Sequence, residues 1–482
     1  MSLRMILRIL GLLLMMFSLT MAPPIVISLI FDDGMWQAFV LALAITAGIG
    51  AVIFLPNRRA RKELRTRDGF LIAVLFWSVL GFSGSLPLML TGSSALSITD
   101  AVFESFSGLT TTGATVITGI DLLPEAVLYY RQQLQWLGGM GIVVLAVAIL
   151  PTLGVGGMAL YRTEIPGPLK DSKLTPRITE TAKALWYIYL TLTVACMLAY
   201  MAAGMGWFDA LGHSFSTVAI GGFSTHDASI GYFDSAAVEM VCVFFLIVSA
   251  VSFSLHFVAW RERSLSHYLR DPEARFLLLF LFGLAIITVV SLWLTRHATP
   301  LISLRHAVFQ TVSIASTAGF AVADFSGWPG ALPFLLFTAA FVGGCSGSTG
   351  GGMKVIRIIL ILKQGMREVM RLIHPNAVIA VKINKVTVPD SIAQAVWGFF
   401  SAYVIVFFAM LVGIMATGVD QVTAWSTVGS ALNNLGPALG NASAHYGDLP
   451  ALAKWFLVLA MLLGRLEIFT VLVLFTPAFW RK

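Results

Sequence analysis

Long apolar stretches follow one another along almost the whole chain, separated only by short charged segments, and no polar stretch is long enough to hold a core of its own. In lipid every backbone amide and carbonyl must be satisfied internally, so this alternation restricts the chain to a bundle of membrane-crossing helices. Composition agrees: 58% of the 482 residues are hydrophobic and only 11% are charged, against about 25% in a soluble domain. Water-soluble globules, disordered chains and soluble catalytic domains are excluded. The net charge of +7 does not argue for nucleic acid, because the basic residues cluster in a few loops beside apolar segments, which is how membrane orientation is encoded. Cys196, Cys242 and Cys345 stand singly in apolar stretches, without the spacing of a disulfide framework or a metal–thiolate site.

The first apolar run, 5–29, follows Arg4 and contains Arg8, as a secretory leader would. Its length and the weak cleavage site at Thr20-Met21-Ala22 instead read as a span. A second run, 35–55, ends in a loop with six basic residues among the eleven from Asn57 to Arg67, which the positive-inside rule places in the cytoplasm.

Beyond this N-terminal pair (1–68) the chain repeats a pattern at intervals of about 100 residues: a long apolar segment, a short one, a Gly-containing turn, and a second long segment. The units are 69–175, 176–272, 273–388 and 389–482. Their first segments run near 70–91, 184–204, 276–295 and 393–416. Their last run near 127–151, 238–260, 330–362 and 451–478. Anchoring one glycine per unit, Gly113, Gly222, Gly319 and Gly436, and stepping back without gaps gives Ala101, Ala210, Ala307 and Ala424 twelve residues earlier. Six residues earlier stand Ser107, Ser216, Ser313 and Ser430. The expectation is an all-α integral membrane protein of about ten spans, in which four pseudo-repeated helix, re-entrant loop, helix units surround one pore. Both termini then lie inside. Arg162, Lys170, Lys173, Arg177, Lys183, Arg261, Arg263, Arg270, Arg275, Arg367, Arg371, Lys382 and Lys385 fall on the inner side, and acids such as Asp100, Glu104, Asp121 and Asp209 on the outer.

Each short segment of about 12 residues spans roughly 18 Å as a helix, too little for a hydrocarbon core of about 30 Å, so it must enter and return on one side. Irregular backbone at that depth is tolerated where it lines a watery cavity. The turns are Thr110-Thr111-Thr112-Gly113-Ala114, Ala219-Ile220-Gly221-Gly222-Phe223, Ser316-Thr317-Ala318-Gly319-Phe320 and Asn433-Asn434-Leu435-Gly436-Pro437, all without charge. Carbonyl rings replace the hydration shell of a cation, and helices ending at such turns aim their negative ends at it. The candidate filter is therefore Thr111, Thr112, Gly113, Ile220, Gly221, Gly222, Thr317, Ala318, Gly319, Asn434, Leu435 and Gly436, with a dehydrated cation at the first two positions of each triplet. The acidic outer face adds salt-dependent steering.

Six glycines among the ten residues 343–352 (Gly343, Gly344, Gly347, Gly350, Gly351, Gly352) interrupt the last segment of the third unit near the midplane. At about 1 kcal/mol per Gly relative to Ala, a continuous helix there is costly and a break is expected. Arg465, about 21 Å into the final segment, sits at a similar depth and places positive charge beneath the filter. Loop and arginine are candidate gates. Against this stand plain helix packing at the glycines and an ion pair at Arg465, for which Glu467 is near in sequence but on another helical face. Gly347 to Lys354 lacks the GK[ST] ending of a phosphate loop. His213, His226 and His306 read as hydrogen-bonded scaffolding rather than pH sensors, and Gly138-Gly139-Met140-Gly141 as close helix packing.

These four imperfect repeats, each with a filter glycine, resemble the Trk/Ktr/HKT superfamily of potassium transporters, and most of all its bacterial Trk-type uptake proteins. The resemblance covers essentially the whole chain. It implies potassium transport across the bacterial inner membrane, with K+ (or Rb+) as the ion at Thr111, Thr112, Ile220, Gly221, Thr317, Ala318, Asn434 and Leu435, and glycine in all four filter positions where a serine in the first goes with sodium preference. Matched at Gly464-Arg465-Leu466-Glu467, it implies an intramembrane loop and an arginine narrowing the path. It further implies a homodimer and control by a cytosolic nucleotide-binding ring of the TrkA type. A proton- or sodium-coupled symporter is the competing mechanism, but midplane carboxylates other than Glu467 are scarce. No HExxH, His/Asp cluster or Ser–Lys pair points to an enzyme.

Overall fold

The computed structural model describes residues 3–60, 66–92, 96–141, 178–296, 299–384 and 386–481. The basic residues Arg61, Lys62, Arg65, Arg162, Lys170, Lys173, Arg177 and Lys385 lie outside them. Among the described residues the chain is helical apart from a small hairpin pairing Lys382–Ile383 with Val386–Thr387.

Six segments among the described residues are long and apolar enough to cross a membrane: Leu3–Phe31, Trp36–Asn57, Arg67–Leu90, Ala182–Ala202, Pro272–Leu294 and Asp390–Met415. Side chains such as Val52, Leu279, Phe282 and Val412 are exposed on them, an apolar belt suited to lipid and unsuited to water. The first two segments pack backbone to backbone. A Cβ on Gly11 would lie 2.8 Å from the Gly50 carbonyl, and one on Gly50 2.9 Å from the Gly11 carbonyl, so both positions admit only glycine at this separation.

The four short segments are the helices Ile98–Leu109, Trp207–Val218, Pro300–Ala315 and Gln421–Asn433. The third is longer than the expected 12 residues, at 16. Ala101, Ala210, Ala307 and Ala424 are fully buried, which explains the repeated small residue.

The last segments depart from expectation. Only the third was expected to break, yet the second and fourth also do. Ala236–Ala250 turns through 93° into Phe253–Glu262, and Ala451–Arg465 turns through 113° into Ile468–Phe475. In the first unit Glu125–Gly139 ends at Met140, and 142–151 lie outside the described residues. The third ends at Ala339 and resumes at Val355, bracketing the glycine run as expected. Neither extra break carries a proline or a glycine run. The backbone groups freed at Ala250 and Phe253 are satisfied from the glycine loop, by Cys345 N–H to the Ala250 carbonyl at 2.8 Å and Phe253 N–H to the Gly347 carbonyl at 3.1 Å.

Candidate ion-conduction site

All four short helices end in the same way. The amide of the residue before each anchored glycine donates to the carbonyl of the repeated serine: Thr112 to Ser107, Gly221 to Ser216 and Ala318 to Ser313 at 2.8 Å, and Leu435 to Ser430 at 2.9 Å. One residue earlier, Thr111, Ile220, Thr317 and Asn434 donate to Gly108, Thr217, Ile314 and Ala431 at 3.0–3.3 Å. This pair of bonds is a Schellman closure, and it forces the residue two before each glycine into the left-handed region, with φ of 56°, 54°, 70° and 51°. Three of those residues are β-branched, for which the conformation is strained. Each anchored glycine is left-handed as well, at φ 80°, 81°, 80° and 100°.

The four turns form a closed ring. A methyl group on Gly113 would overlap the carbonyl oxygen of Gly221, one on Gly222 that of Ala318, and one on Gly319 that of Leu435. One on Gly436 would approach the Thr112 oxygen to 2.7 Å. Each glycine thus backs onto the next turn in chain order, and the fourth returns to the first. On one side the four glycines line a single open vestibule of about 680 Å³. Side chains hold the turns from behind: Gln135 accepts from Phe223 N–H at 3.0 Å and donates to the Gly221 carbonyl at 2.6 Å, so that oxygen is shared with a side chain. Tyr446 donates to the Gly436 carbonyl at 2.7 Å, and Asn434 Nδ2 to Thr112 Oγ1 at 3.0 Å.

On the other side of the ring lies the glycine run. Thr349 donates to the Val218 carbonyl at 2.9 Å, Gly351 N–H to Thr317 Oγ1 at 2.7 Å, and Gly352 N–H to the Asn433 carbonyl at 3.0 Å. These bonds tie the loop to the second, third and fourth turns. Arg465 completes the set, donating to Thr111 Oγ1 and the Thr349 carbonyl, both at 3.1 Å, and to the Gly138 carbonyl at 2.6 Å. Gly343, Gly347 and Gly352 are left-handed, Gly344 lies against the Ala250 carbonyl, Gly350 against Ser316, and Gly351 against Asn433. Below the loop a small cavity of about 70 Å³ is lined by Lys354, Arg357, Arg465 and Glu467. Glu467 is 2.7 Å from Arg357, not paired with Arg465, and Arg357 stacks on Phe399 at 4.0 Å. Lys354 and Arg357 were not singled out from the sequence, although their place just after the glycine run was the available signal.

Several charges expected on the outer side are held in ion pairs. Glu104 is fully buried with Arg131 at 2.8 Å, and Arg131 reaches the Ser224 carbonyl while covering the Phe223 ring at 4.3 Å, which braces the first two turns. Asp100 pairs with Lys454 at 2.6 Å, and Glu239 with Arg305 at 2.6 Å. The acidic face available for steering is correspondingly smaller than the sequence count suggests. His213 is buried between the Asp209 carbonyl and Ser224 Oγ, 2.8 Å from each. The close-packing reading of 138–141 fits the geometry: methyl groups on Gly138, Gly139 and Gly141 would strike Leu109, Ala219 and Trp77.

His226, at the vestibule rim, lies 2.6 Å from Asp121 Oδ1 and 3.5 Å from Asp209 Oδ1, stacked on Tyr232 with ring centroids 3.5 Å apart. Burial disfavours its charged form, but the bonds to Asp209 and Asp121 outweigh that and raise its pKa. A raised pKa contributes stability that is complete below the ordinary histidine value and lost as pH climbs through the folded one. The native chain is therefore expected to lose thermal stability relative to His226→Gln over the pH range above the ordinary histidine value of about 6.5. Melting curves of the two in detergent check this, and parallel curves across that window would refute it.

A family model described as TrkH, cation transport protein, matches residues 35–482. The Trk system potassium uptake protein TrkH of Halomonas elongata is 86% identical over 482 residues, covering all of both chains. That of Escherichia coli K12 is 55% identical over 483 residues, again covering all of both. The crystal structure of the potassium transporter TrkH from Vibrio parahaemolyticus superposes with a TM-score of 0.91 at 53% identity, covering all of both chains. These are transport proteins, not enzymes. The broken helices, the ring of turns and the match along the whole chain place this protein in the TrkH family of cation transport proteins.

Proposed function

We propose that this chain takes up potassium across the inner membrane through a channel-like pore, with Gly113, Gly222, Gly319 and Gly436 as the filter and 343–352 with Arg465 as the gate. The carrying observation is the closed ring of turns, open to a vestibule on one side and capped by the glycine loop on the other. Four neutral turns at helix C-termini favour a cation over an anion. On this reading the binding levels are the backbone of Thr111, Thr112, Ile220, Gly221, Thr317, Ala318, Asn434 and Leu435. The four units are those bounded at 69, 176, 273 and 389. Ten spans, termini inside, a homodimer and a cytosolic nucleotide-binding ring belong to the same proposal.

Arg465 and the loop engage all four turns at once, which supports a closed gate rather than a passive packing element. Glu467 is committed to Arg357, which argues against its carrying a coupling proton. The test is the purified chain in liposomes with an outward potassium gradient, pH clamped by a protonophore, and rubidium uptake as readout. Uptake without a proton gradient is the expected result. Uptake that appears only when a proton or sodium gradient is imposed would replace the channel reading with a symporter.

A further inference from the structure

The bend at Val251–Ser252 does more than end a span. Beyond it the helix Phe253–Glu262 leads away at 93° and is followed by Ser266–Arg270, with Trp260, Leu265 and Leu269 exposed. A short helix carrying exposed aromatic and leucine side chains beside arginines has the make-up of a segment lying in the membrane interface. His256 fixes the arrangement, bonding the Val248 carbonyl at 2.9 Å and the Tyr268 hydroxyl at 2.8 Å.

Between this angled segment and the flanks of Ala182–Ala202, Ala236–Ala250 and Pro272–Leu294 opens a cavity of about 1210 Å³. Its walls are apolar, including Ile188, Leu192, Phe244 and Leu278, and two cations, Lys183 and Arg263, stand on its lining. Lys183 starts one span and Arg263 follows the angled helix, so both belong to the basic, inner end. An apolar slot with cations at the leaflet boundary is complementary to a phospholipid with an anionic headgroup, the chain entering the slot and the phosphate meeting the cations.

We propose that this groove is a binding site for one anionic phospholipid, held by Lys183 and Arg263 at the headgroup and by the apolar walls along an acyl chain. The site is independent of the conduction reading. It nevertheless adjoins the glycine loop, because the backbone at the bend is what Cys345 and Gly347 hold.

The full chain is purified, exchanged into detergent with equal phosphatidylglycerol and phosphatidylcholine of the same acyl chains, and weighed by native mass spectrometry. The expected result is a retained phosphatidylglycerol favoured by roughly tenfold or more, as two basic side chains near an anionic lipid provide. K183Q with R263Q should bring the two lipids level, whereas R296Q, at the far end of its span, should leave the preference intact. Ala184→Trp, which fills the groove, should displace the lipid altogether. Equal retention of both lipids by the native chain, or a preference that survives K183Q/R263Q, would overturn the proposal. So would a dimer that A184W reduces to monomer with its lipid retained, or a cross-link from the groove to residues 142–177 of the same chain. The first would assign the groove to a second copy and the other to that segment. None of these outcomes depends on rubidium flux.

Discussion

Serine in place of Gly113 is expected to lower the preference for potassium over sodium by about tenfold, equivalent to about 1.4 kcal/mol between the two ions. Gly113 has φ +80°, and any Cβ there overlaps the Gly221 carbonyl, so the first two turns must move apart. A displaced ring no longer matches the larger ion, and hydration by water in the gap favours the smaller one. Alanine at Gly222 or Gly319 meets the same obstruction. At Gly436 the approach is 2.7 Å, to the Thr112 oxygen, and a smaller change in selectivity should follow. Backbone strain alone is controlled by Gly330→Ala, which also has positive φ but no neighbour within 4 Å and should keep native selectivity. Paired rubidium and sodium fluxes measure the ratio. An unaltered ratio in G113S would remove the filter assignment.

Deleting Gly347 to Gly350 is expected to raise resting flux by about tenfold or more. The deletion removes Thr349, and with it the hydroxyl on Val218 and the carbonyl that Arg465 binds. Arg465→Ala tests the same closure with a single change and needs no rebuilt loop. It gives up three charge-assisted hydrogen bonds, to Thr111, Thr349 and Gly138, each of the class worth about 1.5–3 kcal/mol. It also takes a positive charge from beneath the ring. Flux unchanged in both variants would leave the loop a packing element.

The serines and alanines that recur around the anchored glycines were legible because they report backbone requirements. The serine six residues before each glycine is where the helix offers the carbonyl that closes the Schellman motif, and the alanine twelve before is a fully buried packing position. Glycine in the turns was legible for the same reason. The angular breaks after Ala250 and Arg465 were not, since the backbone groups they free are satisfied by residues far away in sequence, Cys345 and Gly347 for the first and Asn434 on the Met461 carbonyl for the second. The Glu104–Arg131 pair was not legible, since Ile98–Leu109 and Glu125–Gly139 are separate elements and only their packing brings the two side chains to 2.8 Å. Gln135 was not singled out from the sequence, and only the fold brings its amide against Gly221 and Phe223.

A ring closed by one polypeptide has no rotational copies. In a pore built from four identical subunits a point mutation strikes every quadrant together, and the usual outcome is loss of function. On the conduction reading, each quadrant here can be altered alone, in pairs, or across a diagonal, since Gly113 touches the second turn and Gly436 touches the first. Discrimination between ions then becomes a property that can be adjusted in quarter steps.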